Sequence, residues 1–418
     1  MSAGPAARPL ASMVHDIAGA RGGGAFSERE RRAAARVVAD VRRDGDAAVL
    51  RVVRQFDRPR ARAADLVVER GALRRAGRTA PREVRAALDL SYARIRAFHE
   101  RQRPRAAQRR DRNGVVRITP TPLARVGALV PRGATAYPST ALMTGAPAQV
   151  AGVRELVVAS PMTADGELDP ALAYALTLVE ADALYRAGGA AAVAALAYGT
   201  GSLGAVDKIV GPGNAYVAAA KWLVSADVGI DALQGPSELV IVASRGADPG
   251  ALTLDLLAQA EHGSSAFAAL ASDDGAVLRE VRAALERSGA GRLTSRVFLY
   301  RAPSVRAAAR AANEAAPEHV LLAGPAATAL AGAFDRAGAV FAGERSAVAF
   351  GDYVAGTNHC LPTGGTARWS SALRVEDFVR WTSRVALRGS LKGLATAGAT
   401  VARHERMRYH AESMEART

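Results

Sequence analysis

From Pro131 onward the chain alternates short apolar segments with helical patterns, and this restricts the possible folds more than any other feature. Residues 155–159 read as a strand, 170–180 as a helix and 183–186 as a second strand. Gly188-Gly189 then opens an alanine-rich helix, and a strand at 206–210 leads through Gly211-Pro212-Gly213-Asn214 into a helix ending at Val224. A second run of the same kind follows. Strands at 239–243 and 267–271 flank a helix over 255–263, and the alternation reaches Val340-Phe341. Such alternation predicts an α/β fold with mostly parallel strands, because each crossover needs a helix-length connection. No internal repeat is evident in the sequence.

The N-terminal third has a different character. Residues 1–26 are rich in Gly, Ala and Arg and are expected to form an arm. Ser27 and Glu30 have capping-box spacing, which starts a helix carrying Ala33, Val37, Val38 and Val41. A second helical pattern runs from Gly45 to about Phe56, and a third from Pro81 to about Arg101. Residues 114–130 read as strands split by Thr119-Pro120-Thr121-Pro122. The chain ends in a helical segment from about Ser390 that bears Glu405 and His410.

Composition removes several classes of function. The 418 residues suffice for two or more domains. No apolar run approaches the ~18 residues of a membrane span, and the polar start lacks the core of a signal peptide, so a cytoplasmic protein is expected. Cys360 is the only cysteine, which excludes intrachain disulfides and Cys-based zinc sites and reads as an inert thiol. The net charge of +15 raises the question of nucleic acid. Its excess lies mainly before Pro131, as in Arg101-Gln102-Arg103-Pro104-Arg105 and Arg109-Arg110, with no interleaved aromatics to stack on bases. No nucleic-acid partner is expected.

Three stretches are candidates for chemistry. Gln259 and His262, three residues apart, are expected on one face of the last helical turn before Gly263. An imidazole and an amide oxygen together form half a divalent-metal site, although a lone His at a helix C-terminus also suits the dipole. The glycines of 211–214 let backbone approach a ligand ahead of a helix N-terminus, as a plain tight turn also would. Residues 343–366, dense in Gly, Pro and polar side chains, read as an ordered functional loop.

These motifs come in a distinctive order: Gly-Pro-Gly-Asn at 211–214, Gly-Pro-Ser-Glu at 235–238, Gln-Ala-Glu-His at 259–262 and Pro-Glu-His at 317–319. Gly-Asp-Tyr at 351–353, Gly-Thr-Asn-His at 356–359 and Glu-Arg-Met-Arg-Tyr-His at 405–410 complete it. In this order and spacing the chain resembles the histidinol dehydrogenase family over almost its whole length. The resemblance implies an NAD-linked, zinc-dependent oxidation of L-histidinol through the aldehyde to L-histidine, the last steps of histidine biosynthesis. It implies zinc ligands at Gln259, His262, Asp352 and His410, the last supplied across a homodimer with shared active sites. His319 would be the general base, with Glu318 activating water. Ser237, His359 and Glu405 would contact substrate together with the metal set and His319, and Asn214 the cofactor. Two imidazoles, a carboxylate and an amide oxygen suit zinc, and a neutral His with pKa near ~6.5 suits a base.

The expected architecture is two incomplete Rossmann-like α/β domains, one inserted in the other. After an arm at 1–27, residues 28–128 and 238–372 would build one domain, carrying most metal and catalytic residues. Residues 129–237 would form the inserted cofactor domain, and 373–418 a helical dimerisation tail.

The chain departs from the family where the cofactor belongs. The family's tyrosine before Val130-Pro131 is Leu129, its Pro-Gly-Gly is Pro131-Arg132-Gly133, and its Gly-Gly-Ala-Gln is Gly188-Gly189-Ala190-Ala191. Each lost hydrogen bond is worth ~0.5–1.5 kcal/mol, so NAD binding is expected to weaken, while Arg132 offers a phosphate contact that makes NADP possible. A paralogue acting on another amino alcohol or imidazole-bearing compound, or a redox-inactive zinc-containing binding protein, remain as alternatives. Glu405 and His410 also conflict with one regular helix, since five residues turn through about 140°. Tyr409 and His404 stand as alternatives to them.

Overall fold

The alternation becomes two six-stranded sheets with a shared plan. In the computed structural model, which describes residues 5–22, 24–133, 135–291 and 293–418, the first sheet holds β2 (Val67–Glu69), β5 (Arg125–Leu129), β6 (Glu155–Ala159), β7 (Ala183–Tyr185), β8 (Lys208–Val210) and β9 (Gly229–Ile230). Their order is β2-β7-β6-β5-β8-β9, with only β2 antiparallel to its neighbour. The second sheet holds β1 (Ala7–Pro9), β10 (Glu238–Ala243), β11 (Phe267–Ser272), β12 (Val297–Arg301), β13 (His319–Ala323) and β14 (Ala339–Ala342), all parallel, in the order β1-β12-β11-β10-β13-β14. Without the edge strands β2 and β1, each sheet has the order 3-2-1-4-5 of a Rossmann fold lacking its last strand. The sequence shows no repeat, but the topology does. Two unlike stretches reach the same strand order because the apolar strand pattern, not side-chain identity, specifies a doubly covered parallel sheet.

Strands β10, β11 and β13 are buried along their whole length, as helices on both faces require. Leu239, Ile241 and Ala243 pack on one face with Leu252, Leu256 and Val281. Val240 and Val242 pack on the other with Met13, Ile17 and Ala308. In both sheets the chain reverses direction beside its first parallel strand, between β5 and β8 and between β10 and β13. Crevices of α/β folds form at such switch points.

The chain divides into two compact units, Met1–Gln102 with Leu123–Phe378, and Arg103–Pro122 with Val379–Thr418. The second contains β3 (Ala107–Asp111), β4 (Gly114–Pro122) and β15 (Val379–Leu387), antiparallel in the order β15-β4-β3, and the helices Lys392–His404 and Arg408–Glu415.

Several expectations change. Residues 28–128 do not build onto the sheet of 238–372: β2 and β5 belong to the first sheet, and the helices between them pack on its helices. Residues 1–4 and 23 of the arm lie outside the described residues, but Ala7–Pro9 and the helix Met13–Ala20 join the second sheet and its cover. The Thr-Pro repeat does not split a strand. Pro120 and Pro122 lie within β4 beyond the reach of β3, where β4 has a neighbour on one side only. The 373–418 tail contains, after a single 3-10 turn at Val375–Phe378, the nine-residue strand β15 rather than being helical throughout. Ser27 does form the capping box with Glu30.

Candidate active site

Glu238 and His319 are the first residues of β10 and β13, neighbouring parallel strands in which Leu239 pairs with His319. Glu318 Oε2 accepts from the Ser237 hydroxyl at 2.8 Å and from the Glu238 amide at 2.9 Å. His319 Nδ1 lies 3.0 Å from the Glu238 carbonyl and 3.4 Å from Glu318 Oε2. A carbonyl can only accept, so Nδ1 carries a proton and Nε2 is left for chemistry. Burial alone would lower the His319 pKa, but the charge and hydrogen bond of Glu318 outweigh it and push it up to about 9. The premise of an unperturbed imidazole is therefore corrected. The site lies at the amino ends of these strands, not at the carboxyl ends where α/β crevices commonly open.

Asp352 reaches this centre on a short helix, Ala349–Tyr353, inside the stretch expected as loop. Gly351 makes that approach possible, because a Cβ there would meet the Phe341 ring at 2.5 Å, and Phe341 lies against the His319 ring at 6.1 Å. The Asp352 carboxylate raises the proton affinity of both His319 and His359. His359 Nδ1 donates to the Asp352 carbonyl at 3.1 Å, and burial keeps its pKa below the ordinary value.

The helix carrying Gln259 spans Pro249–Ala260, so His262 sits in the turn beyond it and not in its last turn. Gln259 Nε2 donates to Ser237 Oγ at 3.0 Å, which leaves its amide oxygen as an acceptor. His262 is exposed, and its Nδ1 lies 3.3 Å from the carbonyls of Ala258 and Gln259, leaving Nε2 for a ligand bond. These orientations fit a zinc site of oxygen and imidazole donors. Among the described residues no three His, Cys, Asp or Glu side chains are gathered closely enough to hold a metal.

In the second unit the helix Lys392–His404 stops at Glu405, Arg406 takes a left-handed φ of 62°, and a new helix starts at Arg408. The helix therefore ends between Glu405 and His410, which removes the 140° conflict. Both are exposed.

The 211–214 loop follows β8 at the switch point of the first sheet. Gly211 has φ of 103°, and a Cβ would lie 2.5 Å from the Leu129 carbonyl oxygen. Its amide donates to Asp231 Oδ2 at 2.8 Å, and its carbonyl accepts from Lys221 Nζ at 3.0 Å. Lys221 also pairs with Asp231 Oδ1 and donates to Gln234 Oε1 at 3.1 Å. Asn214 caps the helix Ala215–Val224, its Oδ1 accepting from Tyr216 and Val217 amides, which leaves its NH2 to donate. Leu129 and Ala191 are both buried in one apolar cluster. The guanidinium of Arg132 is already engaged: Nη1 donates to the Met162 carbonyl at 2.9 Å, and its charge acts on Asp57 and Asp165.

Ser237, Gln259, Glu318 and His319 are thus linked by contacts within the first unit, and Asp352, bonded to His359, acts on both histidines by its charge. Sequence reasoning missed three supports. One is the Lys221–Asp231 pair, whose signal was a helical lysine in a chain with only three lysines. Another is Asn358, buried and bonded to the Met143 carbonyl, the Cys360 amide and His99. The third is Arg21, in an arm without pattern.

Comparison with known proteins agrees with this geometry. The histidinol dehydrogenase family model matches residues 24–418. Histidinol dehydrogenase of Ruegeria pomeroyi is 42% identical over 392 residues, 91% of this chain and 90% of that protein. The Cereibacter sphaeroides enzyme of the same name is 42% identical over 394 residues, with 91% and 90% covered. The crystal structure of histidinol dehydrogenase from Elizabethkingia anophelis superposes with a TM-score of 0.89 at 27% identity, covering 98% of this chain and 96% of that one.

Proposed function

The chain belongs to the histidinol dehydrogenase family, and from that premise we propose that it oxidises L-histidinol through the aldehyde to L-histidine, the last steps of histidine biosynthesis, with zinc bound and NAD as oxidant. The observation that carries this reading is the orientation of His319: Nδ1 is tied to the Glu238 carbonyl, which leaves Nε2 for substrate, while its neighbour Glu318 accepts from Ser237 and the Asp352 carboxylate acts on the ring by its charge. A binding protein has no need of an oriented base.

Gln259, His262 and Asp352, with His410 of the partner subunit, would hold zinc. Bound zinc would fix the substrate's nitrogens, and NAD would take up a hydride in each of two steps. His319 Nε2 accepts the hydroxyl proton as the carbinol C–H leaves as hydride, giving the aldehyde. Glu318 then takes a proton from the water that adds to the aldehyde carbon, and the hydrate loses its C–H as the second hydride, leaving the acid. The Glu318 and Asp352 carboxylates raise the proton affinity of His319, which strengthens it as the acceptor. Ser237, His359 and Glu405 would contact substrate. Asn214, with its uncommitted NH2 at the switch point, would contact NAD. On this reading 129–237 serves the cofactor and 238–372 the metal and acid–base chemistry.

A homodimer is supported by the sheet of the second unit. Val116, Ile118, Trp381, Val385 and Leu387 are exposed apolar residues of its paired strands, with Val385 at 62% exposure. A second copy of the chain would cover them. No helix among the described residues is long and apolar enough to cross a membrane.

The departures at Leu129, Arg132 and Ala191 favour one second reading, a paralogue acting on a different amino alcohol. Both are tested by mixing purified protein, zinc and NAD with L-histidinol and, in parallel, with other amino alcohols. Two NADH per L-histidinol supports the first reading, and turnover only with another amino alcohol supports the second. No NADH from any of them overturns both.

A further inference from the structure

We propose that Arg21, in the N-terminal arm, is a positioning residue for His319, acting through Glu238. The proposal rests on the reading of His319 as the base. Arg21 directly follows the helix Met13–Ala20. Its Nε donates to Glu238 Oε1 at 2.9 Å and its Nη2 to Oε2 at 2.7 Å, a bidentate fork. The Gly364 amide adds a third bond to Oε1 at 2.7 Å. The Glu238 side chain is 1% exposed and that of Arg21 14%, so this carboxylate is fixed inside the protein.

Glu238 has a second set of partners on its main chain. Its amide donates to Glu318 Oε2 and its carbonyl accepts from His319 Nδ1, so its peptide groups orient both members of the acid–base pair. The fork on the side chain holds the same Cα from the other direction. Arg21 Nη2 also donates to the carbonyl of Ala316 at 3.3 Å. Ala316 has a left-handed φ of 48° and opens the segment through Pro317 into Glu318 and His319. One guanidinium therefore reaches the entrances of both β10 and β13.

The surrounding turn is shaped for this group. Gly365 has φ of 78°, and a Cβ there would lie 2.9 Å from Arg21 Nη1. Lysine would supply charge without the fork. Buried ion pairs add little net stability over apolar replacements, so what this pair contributes is orientation.

The test uses the full chain as Arg21→Met, Arg21→Lys and the charge-balanced double variant Arg21→Met/Glu238→Gln. Three quantities are read: turnover of L-histidinol with NAD, the melting temperature, and the downfield N–H proton resonance of His319, assigned by its loss in His319→Gln. We expect Arg21→Met to lower kcat at least about tenfold with KM for L-histidinol within about threefold, as a small misplacement of a catalytic group does. The Nδ1–H resonance should shift or broaden. Arg21→Lys and the double variant should recover the melting temperature but not kcat or the resonance. Recovery of kcat together with stability in the double variant would show the arm to be a structural anchor only and overturn the proposal. Unchanged kcat and resonance in Arg21→Met would overturn it as well. Full turnover by His319→Gln would instead remove the reading beneath it, so the two failures are distinguishable.

Discussion

His319 Nδ1 lies 3.0 Å from the carbonyl oxygen of Glu238, and this hydrogen bond decides which nitrogen of the ring is available to substrate. The partner is backbone, so a side-chain substitution at Glu238 does not remove it. It also separates the base from the proposed metal set, whose members Gln259 and His262 are oriented by Ser237 and by helix carbonyls.

That separation predicts a split between metal loss and loss of turnover. His262→Ala and Asp352→Ala should lose zinc, whereas His319→Gln should retain it and lose turnover by about 10²–10⁴-fold. Metal analysis of the three purified variants checks this, and equal zinc in all three would rule out the assignment.

The proposed homodimer with shared sites predicts complementation. His410→Ala and His319→Gln should each be inactive alone. Mixed under conditions that exchange subunits, they should regain roughly a quarter of wild-type turnover, because half the dimers are hybrids with one intact site. No recovery despite demonstrated exchange would place His410 outside the site.

The wall proposed to face the cofactor should not accept the family's side chains at no cost. Leu129 and Ala191 are packed in the same buried cluster. Leu129→Tyr and Ala191→Gln should therefore destabilise the protein by about 1–3 kcal/mol each through overpacking, whatever they do to the KM for NAD. Denaturant titration reads the stability and cofactor titration the affinity. With the Arg132 guanidinium engaged by Met162, Arg132→Gly should change the preference between NAD and NADP by less than about threefold, where a free arginine pairing a phosphate would be worth far more.

Asp255, on the helix that carries Gln259, should make stability depend on pH. Burial pushes its pKa up to about 6 from an ordinary value of 3.8. A raised carboxyl contributes stability that is full below the unfolded value and is lost as pH rises through about 6. Asp255→Asn should therefore be more stable than wild type at pH 7.5, on the order of 1 kcal/mol after allowance for partial exposure, and gain nothing at pH 3.5. Urea unfolding at the two pH values is the measurement, and an equal difference at both would refute it.

The fold was legible wherever one local pattern decided it. Ser27 and Glu30 announced a helix, the apolar runs at 155–159 and 239–243 announced buried parallel strands, and the motif order carried the family resemblance. Strand order was not legible, because nothing in Val67–Glu69 or Ala7–Pro9 says which sheet each joins; that follows from long-range pairing. In the candidate site, residues with distinctive chemistry such as His319 and Asp352 could be named from motifs. Their supports could not. Arg21 is one arginine among many, and only the three-dimensional fold brings it to Glu238. The turn at Arg406 was legible only as a conflict between two residues on a supposed single helix.

The seating of the arm also has a consequence for how the protein is made. Arg21 and Glu238 are 217 positions apart, and the strand that receives Ala7–Pro9 is Val297–Arg301. On a ribosome the arm emerges long before its partners, and at about 5–20 residues per second it waits many seconds with no sheet to join. The first sheet, drawn from Val67 to Ile230, can close during that interval, while the second can take up its edge strand only once Val297–Arg301 has been made. Residues made before either sheet thus dock after the first sheet can form, and nascent chains released before Arg301 would carry an unseated arm and a Glu318–His319 site not yet made.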